Sequence, residues 1–221
     1  MRLKIRNLTK IMDDYVVLDK INYSFEIGKI YGLSGSKGSG KSVFFRCISG
    51  EEPFNKGHIR LQIDENDAKI GYSDVGCVFN DSRIPDVLTG REFIRLFLMN
   101  SNMEYDNETV DYYLGVIGMN DDFGDKYIKY YTESSKNLLQ LLCLYISRPY
   151  IVLVEEPEKG YDDEEFGYMY KILDELREDS IIIVSSAKEG MIERVTDEII
   201  EIKDGELLNA DVDVVTLSME E

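Results

Sequence analysis

Apolar and polar residues alternate in short runs over the first third of the chain. Leu3 and Ile5, the run from Val16 to Leu18, and then Ile21, Tyr23, Phe25 and Ile27 mark successive runs, and Ile59, Leu61 and Ile63 resume the alternation after the turn residue Gly57. A two-residue period puts alternate side chains on one face, so these segments predict an antiparallel sheet with one wet face. Between them residues 29–33 are strand-like, a glycine-rich turn follows, and residues 42–49 can be helical, which gives the order strand, loop, helix. The period then changes. Thr89-Gly90-Arg91-Glu92 has the spacing of a capping box ahead of Phe93, Ile94, Leu96 and Phe97, in which Thr89 and Glu92 satisfy orphan amide donors at a helix start. Val110, Tyr113, Leu114 and Ile117 recur at helical spacing, and residues 138–146 are apolar almost all round, so roughly residues 89–147 read as a helical subdomain.

Strand patterns return after Pro149. Residues 151–154 and 181–184 are short, fully apolar runs, and the stretch between them carries Phe166, Met169, Tyr170, Leu173 and Leu176. That is the pattern of parallel strands buried on both faces and joined by a crossover helix. Ile199 to Ile202, Asp204-Gly205 and Leu207-Leu208 predict a closing hairpin. Nothing resembling a repeat or a flexible linker interrupts the 221 residues, so they read as one domain, 1–221, with the antiparallel β subdomain falling roughly within 1–30 and 57–75.

Charge and composition narrow the function. With 25 Lys+Arg against 43 Asp+Glu the net charge is −18, and no basic stripe is present of the kind that displaces counterions from a nucleic acid, so no nucleic-acid partner is expected. The longest apolar run, around residues 138–146, is broken by Gln140 and falls short of the ~20 residues that cross a bilayer. Met1-Arg2-Leu3-Lys4-Ile5-Arg6 is basic but leads into no apolar stretch of a secretory signal. Cys47, Cys77 and Cys143 are odd in number and widely spaced, which fits buried thiols in a reducing cytosol.

The chemistry is concentrated in two places. Gly35-Ser36-Lys37-Gly38-Ser39-Gly40-Lys41-Ser42 satisfies G-x-x-x-x-G-K-[ST] after an apolar strand and before a helix. Glycines let backbone N–H groups turn inward around an anion, the helix N-terminus adds partial positive charge, Lys41 reaches the β- and γ-phosphates, and the Ser42 hydroxyl can ligate Mg²⁺. The expected ligands are ATP, or another nucleoside triphosphate, and Mg²⁺. The apolar run 151–154 ends in Glu155-Glu156-Pro157; a buried strand ending in two acids places Glu155 beside the metal and Glu156 where it can polarise an attacking water as general base. The fold class is α/β, a P-loop NTPase core with a mostly parallel sheet, an N-terminal antiparallel β subdomain and a helical subdomain.

In order, the phosphate loop, the helical insert, Pro149, the strand ending in Glu155-Glu156-Pro157, and Gly160-Tyr161-Asp162 resemble the ATP-binding subunits of ABC transporters over nearly the whole chain. The resemblance implies five further positions, where spacing survives better than residue type. The aromatic that stacks on adenine corresponds to Tyr15, a place where a strand-edge tyrosine otherwise serves packing. The glutamine that contacts metal and water corresponds to Asn80, one methylene shorter. The loop that reads Leu-Ser-Gly-Gly-Gln corresponds to Tyr131-Thr132-Glu133-Ser134-Ser135, in which only the hydroxyl of Thr132 is retained. The Walker B aspartate corresponds to Glu155, and the switch histidine to Ala187, followed by Lys188. His58, the single histidine, stands on a predicted outer strand and reads as structural.

In the family the signature loop opens a helix that faces the γ-phosphate held by a second nucleotide-binding subunit, so Thr132, Glu133, Ser134, Ser135 and Asp162 are expected at a dimer seam. Thr132, Ser134 and Ser135 can cap that helix. Glu133 brings a charge toward phosphate; at ~5 Å and an effective dielectric of ~20 the repulsion is on the order of 3 kcal/mol before screening unless the side chain turns away. Two functions remain open on these residues. One is an ATPase subunit on the cytoplasmic face of a membrane, driving a membrane-spanning permease that contacts the helical insert around residues 80–100. The other is a nucleotide-binding, dimerising or regulatory module with little turnover, motivated by the changes at Asn80, the signature loop, Glu155 and Ala187. Retention of Glu156 favours slow or partner-dependent hydrolysis over none. A chromosome-maintenance ATPase is disfavoured by the lack of heptad arms and basic surface.

Overall fold

The computed structural model describes residues 1–79, 84–119, 123–157, 161–186 and 192–208. Two sheets organise the chain. β1 (Arg2–Met12), β2 (Tyr15–Glu26), β4 (Lys56–Ile63) and β5 (Asn66–Ala68) form an antiparallel sheet in the order β2-β1-β4-β5. β3 (Ile30–Ser34), β6 (Val75–Val78), β7 (Ile151–Glu155), β8 (Ile181–Ser185), β9 (Glu198–Lys203) and β10 (Glu206–Leu208) form the other, in the order β10-β9-β3-β8-β7-β6. β9, β3, β8, β7 and β6 run parallel, and only the edge strand β10 runs antiparallel, to β9.

The run from Val16 to Leu18 and the run through Ile21, Tyr23 and Phe25 are one strand. β2 continues from Tyr15 to Glu26 through register shifts against β1, with Lys20 at φ 47; a bulge adds a residue and twists the strand without ending it. Val75, at the boundary expected for the antiparallel part, instead opens β6 in the parallel sheet.

Alternation within the central strands explains their unbroken apolar sequence. Ile151, Leu153, Ile181 and Ile183 join Leu3, Phe25, Phe44 and Phe45 in a core between the two sheets and α1 (Lys41–Ser49). Their neighbours Val152, Val154, Ile182 and Val184 face a second core with Leu138, Leu142, Met169 and Leu173. A strand buried on both faces has no position left for a polar residue.

The second core is built by α2 (Gly90–Asn100), α3 (Asn107–Val116), α4 (Glu133–Ser147) and α5 (Asp163–Leu176). The capping box at α2 is formed: Glu92 N donates to Thr89 Oγ1 at 3.1 Å and Thr89 N to Glu92 Oε2 at 2.9 Å. α4 ends where Arg148 takes a left-handed conformation, φ 48, ahead of Pro149, which cannot continue a helix. The closing hairpin β9–β10 turns at Asp204-Gly205 and touches β2, with Asp19 N donating to Gly205 O at 2.9 Å.

Candidate functional site

β3 is buried over Ile30 to Leu33 and delivers the chain into residues 35–40, after which α1 begins. Only glycine fits two of these places. A Cβ on Gly35 would lie 2.5 Å from Ile202 O, and Gly40 has φ 108 with Leu18 and Val17 at 3.1 Å from any added Cβ. Gly40 is also the N-cap of α1 and supplies no side-chain cap. The first-turn amides of α1 therefore keep donors that no side chain of the cap accepts, at the positive end of the helix. That arrangement is an anion cradle.

Lys41 is buried and folds back over the loop, donating from Nζ to Gly35 O at 2.5 Å and to Ser36 O at 3.0 Å. Ser42 Oγ donates to Glu155 Oε1. This contact brings the helix after the phosphate loop to the end of β7, so two oxygen donors face one another. Nearby, Ser185 Oγ is buried with no hydrogen-bond partner among the described residues, and Ser185 stands directly beside Glu155 in the β7–β8 register. An orphaned hydroxyl next to a buried carboxylate is what a hydrated ion or a phosphate oxygen would satisfy. Mg²⁺, which takes oxygen ligands and keeps several waters, fits this donor set.

Glu156 follows with φ 44, and its N–H donates to Ser185 O at 2.9 Å. A left-handed glutamate is a strained backbone that persists only where surrounding bonds hold it, as at functional sites. The turn separates the two acids: Glu155 is buried at the strand end, whereas Glu156 is half-buried. Tyr15 opens β2 after the left-handed pair Asp13 and Asp14 and is 77% exposed. Little of it packs within the chain, and its strand passes the phosphate loop at Val17 and Leu18.

Thr132 is the N-cap of α4 and accepts from Ser135 N at 3.1 Å. The Glu133 side chain is 65% exposed and pairs along its own helix with Lys136 Nζ at 3.0 Å. Ser134 and Ser135 are buried. Asp162 caps α5, completing a capping box with Glu165. Asn80, Gly160, Ala187 and Lys188 lie outside the described residues. His58 stands on the outer sheet opposite Arg6, away from the phosphate loop. Cys47, Cys77 and Cys143 form no disulfide among the described residues, and burial pushes the Cys47 thiol up to about 11. Ser185 and Glu165 escape sequence reading; Asp162-x-x-Glu165 has the capping-box spacing that points to the second.

Residues 18–159 match the family model described as ABC transporter. The chain belongs to the ABC transporter family, as its ATP-binding domain. It is 28% identical to an uncharacterized ABC transporter ATP-binding protein of Bacillus subtilis, over 86% of this chain and 88% of that one. It is 27% identical to the glutamine transport ATP-binding protein GlnQ of Bacillus subtilis, over 93% and 88% respectively. The fold is that of a solved ATP-binding subunit of an ABC transporter, with a TM-score of 0.79 at 18% identity over 94% of this chain and 88% of that one. A dimeric ATP-binding cassette solved in a post-hydrolysis state with ADP and Pi superposes with a TM-score of 0.76 at 20% identity, over 93% and 96%. Among the described residues no helix of this ABC domain is long and apolar enough to cross a membrane.

Proposed function

We propose that this ABC domain binds MgATP in the loop 35–42, hydrolyses it with Glu156 as general base, and couples the cycle to a membrane-spanning permease at the cytoplasmic face. The observation that carries this reading is the Ser42–Glu155 contact, which joins the anion cradle to the acidic strand end. Lys41 supplies positive charge to the β- and γ-phosphates, and the α1 amides hold their oxygens. Ser42 and Glu155 would hold Mg²⁺, with Asn80 as a further oxygen donor; when bound, the ion neutralises charge developing on the phosphates. Glu156 takes a proton from the water whose oxygen bonds to the γ-phosphorus as the bond to the β-phosphate oxygen breaks, leaving ADP and phosphate. Tyr15 stacks on adenine.

A second nucleotide-binding subunit, identical or not, docks against Thr132, Glu133, Ser134, Ser135 and Asp162. The altered signature residues support slow or partner-dependent turnover. The substrate of the permease and the direction of transport reside in other chains. The test is single-turnover phosphate release from MgATP by the purified chain, with Lys41→Ala and Glu156→Gln in parallel. Loss of binding in the first and of release alone in the second is expected. Tight binding by the unsubstituted chain with no release would leave a nucleotide-gated module in place of a hydrolase.

A further inference from the structure

The serine hydroxyls of the altered signature loop are fully engaged inside their own chain. Ser134 Oγ and Ser135 Oγ both donate to one atom, Glu165 Oε1, at 3.0 and 3.3 Å. Thr132 Oγ1 lies 2.9 Å from Ser134 Oγ and donates to Ser135 Oγ at 2.8 Å, so the N-cap of α4 joins the same cluster. The second oxygen of that carboxylate, Glu165 Oε2, accepts from Asp162 N at 3.3 Å. Asp162 Oδ1 in turn accepts from Glu164 N and Glu165 N at 3.0 and 2.8 Å. A single carboxylate thus bridges the first turns of α4 and α5, and the partial positive charge of both N-termini favours it there.

We infer that Glu165 is a positioning residue that fastens residues 132–135 to Asp162, so that the two segments facing the second subunit move as one. The inference rests on the ATPase reading above for its functional consequence. A glycine in place of Ser134 would have no hydroxyl for Glu165, so the same change that crowds the approach of phosphate also creates the tether. Displacement of the α4 N-terminus when a partner closes is then handed directly to Asp162, and turnover depends on a link that the phosphate loop does not contain.

The test compares the unsubstituted full chain with Glu165→Ala, Glu165→Gln and the double variant Ser134→Ala/Ser135→Ala, by amide hydrogen exchange and by ATPase kinetics. Glu165→Ala is expected to speed exchange about tenfold or more at Ser135 and Lys136 on α4 and at Glu164 and Phe166 on α5. The double serine variant is expected to speed exchange at Glu164 and Phe166, on a helix it does not alter. Glu165→Gln keeps an oxygen acceptor for both serines and is expected to retain the protection of α4. In Glu165→Ala, kcat falls about tenfold while MgATP affinity stays within about twofold. Exchange that changes only on the substituted helix, a glutamine variant as unprotected as alanine, or a kcat that is unchanged or falls only with binding would each overturn the tether. Absence of MgATP turnover in the unsubstituted chain would instead count against the ATPase reading, and the exchange comparison would still decide the link.

Discussion

Ser42 Oγ donates to Glu155 Oε1 across 113 positions of sequence, joining the first turn of α1 to the last residue of β7. The contact holds a buried carboxylate against the phosphate loop by one hydroxyl. Without nucleotide the hydroxyl hydrogen-bonds the carboxylate; under the proposed reading the same two oxygens would hold Mg²⁺ when MgATP binds.

Replacing Ser42 with alanine is therefore expected to act twice. Loss of a hydrogen bond to a buried charged group costs about 1.5–3 kcal/mol, to be read as a lower urea midpoint of the nucleotide-free protein. Affinity for MgATP falls further than affinity for metal-free ATP. Equal losses with and without magnesium would remove Ser42 from the metal site.

Tyr15 makes a cleaner separation of binding from folding. Because the ring is so exposed, Tyr15→Ala should change stability by less than about 0.5 kcal/mol. Loss of a base–aromatic stack should weaken ATP binding by about 1–3 kcal/mol, while inorganic triphosphate is held as before and Tyr15→Phe binds ATP normally. Calorimetric titration with both ligands checks this, and a tyrosine that serves only the strand edge would leave both affinities alone.

Glu133 and Lys136 form an exposed pair one helical turn apart, worth no more than about 0.5 kcal/mol to stability. Its importance lies in where it holds the glutamate. Lys136→Ala frees Glu133 to swing toward an incoming phosphate, so MgATP-driven association should weaken severalfold, and the added change Glu133→Ala should restore it. Sedimentation velocity with MgATP measures both variants; an association constant indifferent to Lys136 would show that Glu133 never approaches the seam.

Cys47 and Tyr131 are among the buried groups that set the behaviour in alkali. Burial raises Cys47 from 9.0 to about 11 and Tyr131 from 10.0 to about 12. The unfolded chain releases these protons first, so their contribution is fully present below pH 9 and is lost as pH rises through 11 to 12. Urea midpoints should hold steady up to pH 9 and decline above it. A Cys47→Ala variant, though weaker at neutral pH from lost packing, should show a flatter decline between pH 9 and 11, and parallel profiles would contradict the assignment.

How much of this was legible beforehand differs by element. The phosphate loop, the box at Thr89 and Glu92, and the doubly buried strands are written in local pattern, because spacing and period alone dictate them. The continuity of β2 through Lys20 was hidden, since a bulge interrupts the alternation by which a strand is recognised. Within the site, residue types marked Ser42 and Glu155 as candidates, which the fold brings into contact, but not the pairing of Glu133 with Lys136. Which partner an exposed glutamate takes depends on geometry that only the folded helix supplies. Ser185 was invisible for a similar reason: its isolation follows from which neighbours the sheet gives it.

The floor beneath the phosphate loop comes from the far end of the chain. Ile202 O closes on Gly35, and the turn at Gly205 grips Asp19 on the strand that carries Tyr15. A ribosome emits Gly35 long before Ile202, so during synthesis the cradle stands without its backing until the last strands have emerged and paired, and such distant pairings form slowly. Nucleotide capture thereby waits on β9: a nascent chain stalled upstream of it would present every motif residue of the loop without the backing that Ile202 gives Gly35.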